Sequence, residues 1–232
     1  MDAAPLLSPT LRSTIRRSPA RSRTDRADLY AVLDAGLVGH LGVVLDGAPV
    51  VLPTGYGRHG DTVYLHGSTG AATLRAAAAG APACFTVTLV DGVVYARSAF
   101  HHSMNYRCAV VHGTPRLLTD PAERLLALEA LTEHLAPGSW TATRRPDRKE
   151  LAGTAVLALD LAEASVKIRT GPPGDDERDL PAADDPDPVW AGVLPLRTVV
   201  GEPQPCPLLP AGTPVPQRVR ARAARLMRAD VG

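Results

Sequence analysis

The residues from Leu37 to His66 leave little choice of architecture. Leu37 to Leu45, LVGHLGVVL, is an apolar, β-branched run. Asp46-Gly47-Ala48-Pro49 turns the chain, and Val50 to Tyr56 returns it. Arg58-His59-Gly60 then turns into Thr62–His66. Turns this short join antiparallel neighbours, whereas a parallel crossover needs a dozen or more residues. The segment therefore reads as a β-meander. Pro53, which has no N–H to give a ladder, predicts an edge position or a bulge in the second run.

The stretch from Asp61 to Gly113 extends this pattern and holds most of the polar residues suited to a ligand. Tyr64-Leu65-His66 ends one run, and Gly67-Ser68-Thr69-Gly70 turns into an Ala-rich helix expected over about 69–79. Small residues and hydroxyls at such a turn let backbone N–H groups and a helix N-terminus approach an anion. The same residues also make an ordinary helix cap. Ala83 to Val90 is the next run, Asp91-Gly92 reads as a hairpin turn, and a third run goes from Val93 to about His101. HHSMNYR then leads into Cys108-Ala109-Val110-Val111 and His112-Gly113.

YLHGSTG, the VTLVDG hairpin and SAFHHSMNYRCAVVHG, in that order, resemble the flavin-binding split barrels. The resemblance is to the pyridoxamine 5′-phosphate oxidase superfamily, in the branch that includes nitroimidazole-reductase-like proteins. Val189-Trp190-Ala191-Gly192-Val193-Leu194-Pro195-Leu196 resembles the closing strand of that branch, so the likeness spans about 28–196. It implies a mainly β, α+β fold: a six-stranded antiparallel split barrel with peripheral helices. It also implies an FMN-binding homodimer, acting as an oxidoreductase on a small aromatic or heteroaromatic substrate. Pyridoxamine phosphate oxidation itself is disfavoured, because the basic clusters for two phosphates are not evident.

The resemblance assigns roles residue by residue. Ser68, Thr69 and Gly70, after His66 and Gly67, would hold the FMN phosphate. Relatives carry a basic pair just after this turn. Here Ala71-Ala72 stands instead, so Arg75 or Arg107 must supply the charge. His66 would face the flavin ring and the substrate as the catalytic proton donor or acceptor. Thr86 and Thr88 alternate along a strand, so they share one face that suits the isoalloxazine ring. Ser103, Asn105, Tyr106, Arg107 and Cys108 would reach FMN, partly across the dimer interface, and Trp190 would lie near the partner's flavin. Ordinary readings stand beside these: Tyr106 and Trp190 as packing residues, Asn105 in a turn. GSTGAA lacks the spaced glycines of a dinucleotide turn, which favours FMN over FAD. Two alternatives remain, a flavin-storage protein without turnover and a split barrel that binds a deazaflavin or haem.

Composition narrows the rest. The 232 residues are 45% hydrophobic with net charge +1, which gives no reason to expect a nucleic-acid or membrane partner. The Arg- and Pro-rich start, residues 1–24 with Arg26 just beyond, has no apolar signal core and no interleaved aromatics for stacking bases. It reads as a flexible or surface-draped extension. Residues 25–200 form the barrel domain, beginning with a helix whose Leu29, Val32 and Leu33 share a face. A second helix starts at Asp120-Pro121. Within the domain, 171–188 is an acidic loop, and 201–232 is a Pro/Arg-rich tail. Cys84, Cys108 and Cys206 make neither a disulfide framework nor a zinc set, which predicts a cytoplasmic protein. The His101-His102 pair predicts no metal site, since adjacent strand residues point to opposite faces and no carboxylate is near in sequence.

Overall fold

The computed structural model describes residues 6–7 and 10–228. Its strands are β1 (Ser22–Arg23), β2 (Gly39–Leu45), β3 (Ala48–Thr54), β4 (Tyr56–His59), β5 (Thr62–Ser68), β6 (Ala83–Tyr95), β7 (Ser103–Gly113), β8 (Arg116–Leu117), β9 (Thr154–Asp160), β10 (Glu163–Arg169) and β11 (Gly192–Pro195). Its helices are α1 (Arg26–Ala35), α2 (Ala72–Ala78), α3 (Pro121–Leu135), α4 (Ser139–Ala142), α5 (Arg148–Gly153) and α6 (Gln217–Arg228). One sheet runs β1-β10-β7-β6-β2-β3, with β11 added to β6; the other runs β4-β5-β9-β8. Every pairing is antiparallel. The α+β split barrel expected from the sequence is therefore present, with seven strands in one sheet and four in the other rather than six in all.

The core lies between the sheets. Leu41 and Val43 of β2, Phe85 and Val87 of β6, Ala109 and Val111 of β7 and Val166 of β10 pack with Val63, Leu65, Leu157 and Leu159. α1 closes this core with Leu29, Val32 and Leu33, all buried; Asp25 caps it by accepting from the Ala27 N–H at 2.8 Å. α3 covers the other face of the four-stranded sheet, where Ala127 and Leu131 meet Tyr64, Val156 and Ala158. Asp120 caps α3 and Pro121 stands in its first turn.

The same dipeptide, Asp-Gly, does two different things. At Asp46-Gly47 both residues have positive φ, 49° and 79°, and close the two-residue β2–β3 hairpin. At Asp91-Gly92, expected to turn, the strand continues. The ladder to β7 steps from Val90↔Tyr106 to Gly92↔Asn105, so Asp91 is the extra residue of a bulge. The hairpin turn lies instead between Tyr95 and Ser103, around a single helical turn at Ala99–His101. β7 accordingly starts at Ser103.

α2 starts three residues later than expected. The Thr69 N–H is taken by the Gly153 carbonyl at 3.1 Å, and the Ser68 carbonyl accepts from Ala71 N–H at 3.0 Å. Those bonds make a turn, and the helix begins only after it. The N-terminal segment drapes over the barrel: Leu7 is buried, Arg12 pairs with Glu163, and β1 joins β10. Gly57 lets α3 approach β4, because a Cβ there would stand 2.5 Å from the Ala130 carbonyl carbon. Gly57→Ala is expected to cost about 1–3 kcal/mol by overpacking and to lower the Tm in a thermal melt. An unchanged Tm would mean that α3 does not sit where described.

Candidate functional site

The ladder registers arrange the outer face of the seven-stranded sheet into rows. Thr86 stands between His40 and Val110, and Thr88, Cys108 and Lys167 form the next row. Val90, Tyr106 and Arg169 form a third. Side chains alternate, so these rows share the face opposite the core. Thr88 is exposed, and Thr86 donates its hydroxyl to the Ala109 carbonyl at 3.0 Å. Val44, Val51 and Val90 leave apolar surface open on this face, at 56%, 63% and 46% exposure. Burial raises the Cys84 and Cys108 thiol pKa values, which keeps both as thiols.

One edge of this face opens into a cavity of about 700 Å³. The N-terminal segment brings Arg17, Arg21 and Arg23 to it, β10 brings Lys167 and Arg169, and the β6–β7 turn brings Phe100. Ser103 also lines it. Arg169 is 7% exposed and donates to Asn105 Oδ1, to the Gly171 carbonyl at 3.3 Å and to the Pro172 carbonyl at 3.1 Å, while its Nε has no partner. Burial first, and the charge of Arg21 second, push its pKa down. Among the described residues no carboxylate pairs with any of the five cations, although seven other arginines hold one at 2.5–2.9 Å.

The residues around His66 form a separate group. His66 pairs across the ladder with Val156, and Val156 lines a mostly apolar cavity of about 380 Å³ with Thr69, Leu74, Arg75, Leu118 and Arg124. Ser68 Oγ accepts from the Gly70 N–H at 3.2 Å, but no side chain caps α2. Arg75, expected on the first turns of that helix, lies in its last turn and is exposed, because α2 is only seven residues long. Arg124 donates to the Leu151 and Thr154 carbonyls. Burial pushes the His66 imidazole below its ordinary pKa.

Other expected site residues are placed apart from these. Arg107, offered as a phosphate ligand, grips Asp91 through Nη2 at 2.7 Å and Nε at 3.0 Å, so its charge is already matched. It lines a smaller cavity with Thr88. Asn105 is buried and serves Arg169. Trp190 is 66% exposed and packs edge-on against Tyr95, with ring centres 5.8 Å apart. His102 accepts from the Ala96 N–H, whereas His101 comes within 4.8 Å of Asp176 and Asp179, carboxylates that lie far along the chain. The sequence reading missed Arg17, Arg21, Arg23, Lys167, Arg169 and Phe100 as a group. Three closely spaced arginines near the N-terminus and a Lys-x-Arg pair on one strand face were the available signal.

A family model described as pyridoxamine 5′-phosphate oxidase matches residues 25–168. The chain belongs to this family. It is similar to the flavocytochrome Anf3 from Azotobacter vinelandii, with 38% identity, 92% of this chain and 97% of that one covered, and a TM-score of 0.84. It is also similar to the FAD and haem binding protein from Mycobacterium smegmatis, with 43% identity, 87% and 96% covered, and a TM-score of 0.81. A proposed 5-nitroimidazole antibiotic resistance protein from Bacteroides thetaiotaomicron shares the fold at 19% identity over 63% of this chain and 86% of that one, with a TM-score of 0.54. No curated protein matches. No helix among the described residues is long and apolar enough to cross a membrane.

His66 and His134 are both shifted down, chiefly by burial. Protonation therefore favours the unfolded chain, whose histidines titrate near about 6.5. Their contribution is fully present above that pH and is lost as pH falls through and below it. Urea denaturation at about pH 7.5 and about pH 5.5 should show lower stability at the acid end, and His134→Gln should reduce the drop. A drop that His134→Gln leaves unchanged would contradict the assignment.

Proposed function

We propose that this chain is a flavin- and haem-binding redox protein that works as a homodimer. The observation that carries the reading is the presence of two separate cation-lined cavities, one beside the threonine face and one beside His66, in a chain 43% identical to a protein described as binding FAD and haem. When bound, a flavin supplies exchange of one or two electrons and a haem supplies one-electron chemistry.

The residues fit both groups. The flat outer face at Thr86 and Thr88 suits an isoalloxazine ring, and strand spacing puts Lys167 about 10 Å from Thr88 along one row. That distance carries a phosphate arm from the ring face to the basic cavity. FAD is favoured over the FMN expected from the sequence, because the similar proteins include one described as binding FAD and the cavity holds more cations than one phosphate needs. At the other cavity the apolar lining suits a porphyrin and Arg75 and Arg124 suit its carboxylates. His66, the ladder partner of Val156 and kept neutral by its lowered pKa, would offer an imidazole nitrogen to the haem iron. His102 and His134 are already hydrogen-bonded. A second copy would cover Val44, Val51 and Val90 and exclude water from the ring. A small planar acceptor, aromatic or heteroaromatic, is the substrate class such a face would admit.

Protein purified with haem supplied should show both a flavin absorbance and a Soret band. His66→Ala should abolish the Soret band and keep the flavin. Sedimentation at several concentrations should give a dimer that bound flavin stabilises against heat. A colourless protein after reconstitution with both cofactors would end this reading, and a Soret band that survives His66→Ala would remove His66 from it.

A further inference from the structure

We infer that the cavity between the N-terminal segment and β10 binds the adenosine diphosphate half of a dinucleotide. The inference rests on the flavin reading above and adds to it where, and by which residues, the part of FAD that FMN lacks is held.

Arg169 carries the argument. Its guanidinium is buried, its Nε is unpartnered, and its remaining partners are neutral oxygens. A buried charge without a counter-charge is strongly unfavourable, so such a group persists where an anion completes it. Arg21 beside it adds repulsion instead of relief. Lys167 points from the same sheet face, and Arg17 and Arg23 complete the lining. One phosphate cannot match five cations. Two linked phosphates, with several acceptor oxygens, come closer.

The cavity is also built in advance. β1 pairs with β10 at Ser22↔Lys167 and Arg23↔Val166. Lys167 Nζ donates to the Arg17 carbonyl at 3.2 Å, and Arg23 donates to the Ala20 and Ser22 carbonyls. The arginine segment is thus tied to the strand it faces. Phe100 stands on the lip at 89% exposure, the most exposed aromatic among the described residues. An aromatic face left in water beside a cluster of cations suits a planar base joined to a diphosphate. The volume of about 700 Å³ has room for a nucleotide. The row Thr88–Cys108–Lys167 leads from the ring face into it.

The test uses the full chain stripped of bound cofactor and titrated by calorimetry with ADP, inorganic pyrophosphate, FAD and FMN. Native protein is expected to bind ADP and pyrophosphate, and FAD at least tenfold more tightly than FMN. R21Q/R23Q should weaken ADP and FAD by roughly tenfold or more and FMN much less. Phe100→Ala should weaken ADP and FAD but leave pyrophosphate unchanged. Melting curves identify a variant that has merely unfolded, and Phe100→Ala, on an exposed lip, keeps the question open to measurement in that case. Equal losses for FAD and FMN would overturn the inference and assign the cavity to the first phosphate alone. FAD binding indifferent to all three substitutions would remove the cavity and leave the flavin reading standing. ADP binding by a chain that takes no flavin would do the reverse, and a chain that binds none of the four ligands would end both.

Discussion

The fold depends on one long antiparallel pairing, β6 with β7. β6 runs thirteen residues, and along its length it also pairs with β2 on the near side of the bulge and β11 on the far side. The bulge at Asp91 makes this possible. It lets the first half of β6 keep Phe85 and Val87 in the core while the second half, after a change of register, keeps Val94 buried. It also leaves the Asp91 carboxylate free of the ladder to hold Arg107. A true hairpin at Asp91-Gly92 would have ended the strand there. β11 would then have no edge to join, and the turn carrying Phe100 to His102 would not reach β10.

A second constraint is the unequal treatment of charge. Among the described residues eight arginines are matched by carboxylates, among them Arg12 by Glu163, Arg26 by Asp61, Arg58 by Asp34 and Arg97 by Asp175. Where such pairs face solvent, as Arg116–Glu123 and Arg144–Glu150 do, they contribute little, about 0–1 kcal/mol each. Their effect here is positional. Arg12–Glu163 and Arg26–Asp61 pin the N-terminal segment at both ends, and the stretch between them delivers Arg17, Arg21 and Arg23 with no carboxylate partner among the described residues. A near-neutral net charge conceals this separation, because the acids are spent at the pins and in the loop from Gly171 to Pro188.

Much of the architecture was legible because short turns and alternating apolar residues report backbone pairing directly. The β2–β3 hairpin, α1 with Leu29, Val32 and Leu33, and α3 after Asp120-Pro121 all follow from local rules. The Asp91 bulge was not legible, since Asp-Gly satisfies a turn and a bulge equally well. Only the pairing of β11 and β7 against the same strand decides between them. The site was less readable still. The shared face of Thr86 and Thr88 follows from strand alternation, and the structure places Cys108 in the same row as Thr88. The basic cavity joins residues 17–23 to residues 167 and 169, a separation of nearly 150 positions that no local rule spans.

The two candidate cavities also constrain each other. Thr86 and Thr88 lie on the outer side of the seven-stranded sheet, and His66 lies on the outer side of the four-stranded one. The core between them is a packed layer of Phe85, Leu65, Val87 and Leu157, with two sheets set about 10 Å apart. That layer is apolar apart from Tyr56, whose hydroxyl donates to the Leu33 carbonyl at the end of α1. A chain built this way keeps Thr86, Thr88 and His66 at its outer faces and an apolar partition in the middle. That partition is what the bulge, the pinned N-terminal segment and the α3 cover jointly maintain. It explains why Thr86 and Thr88 on one side and His66 on the other fall on opposite faces instead of in a single cleft.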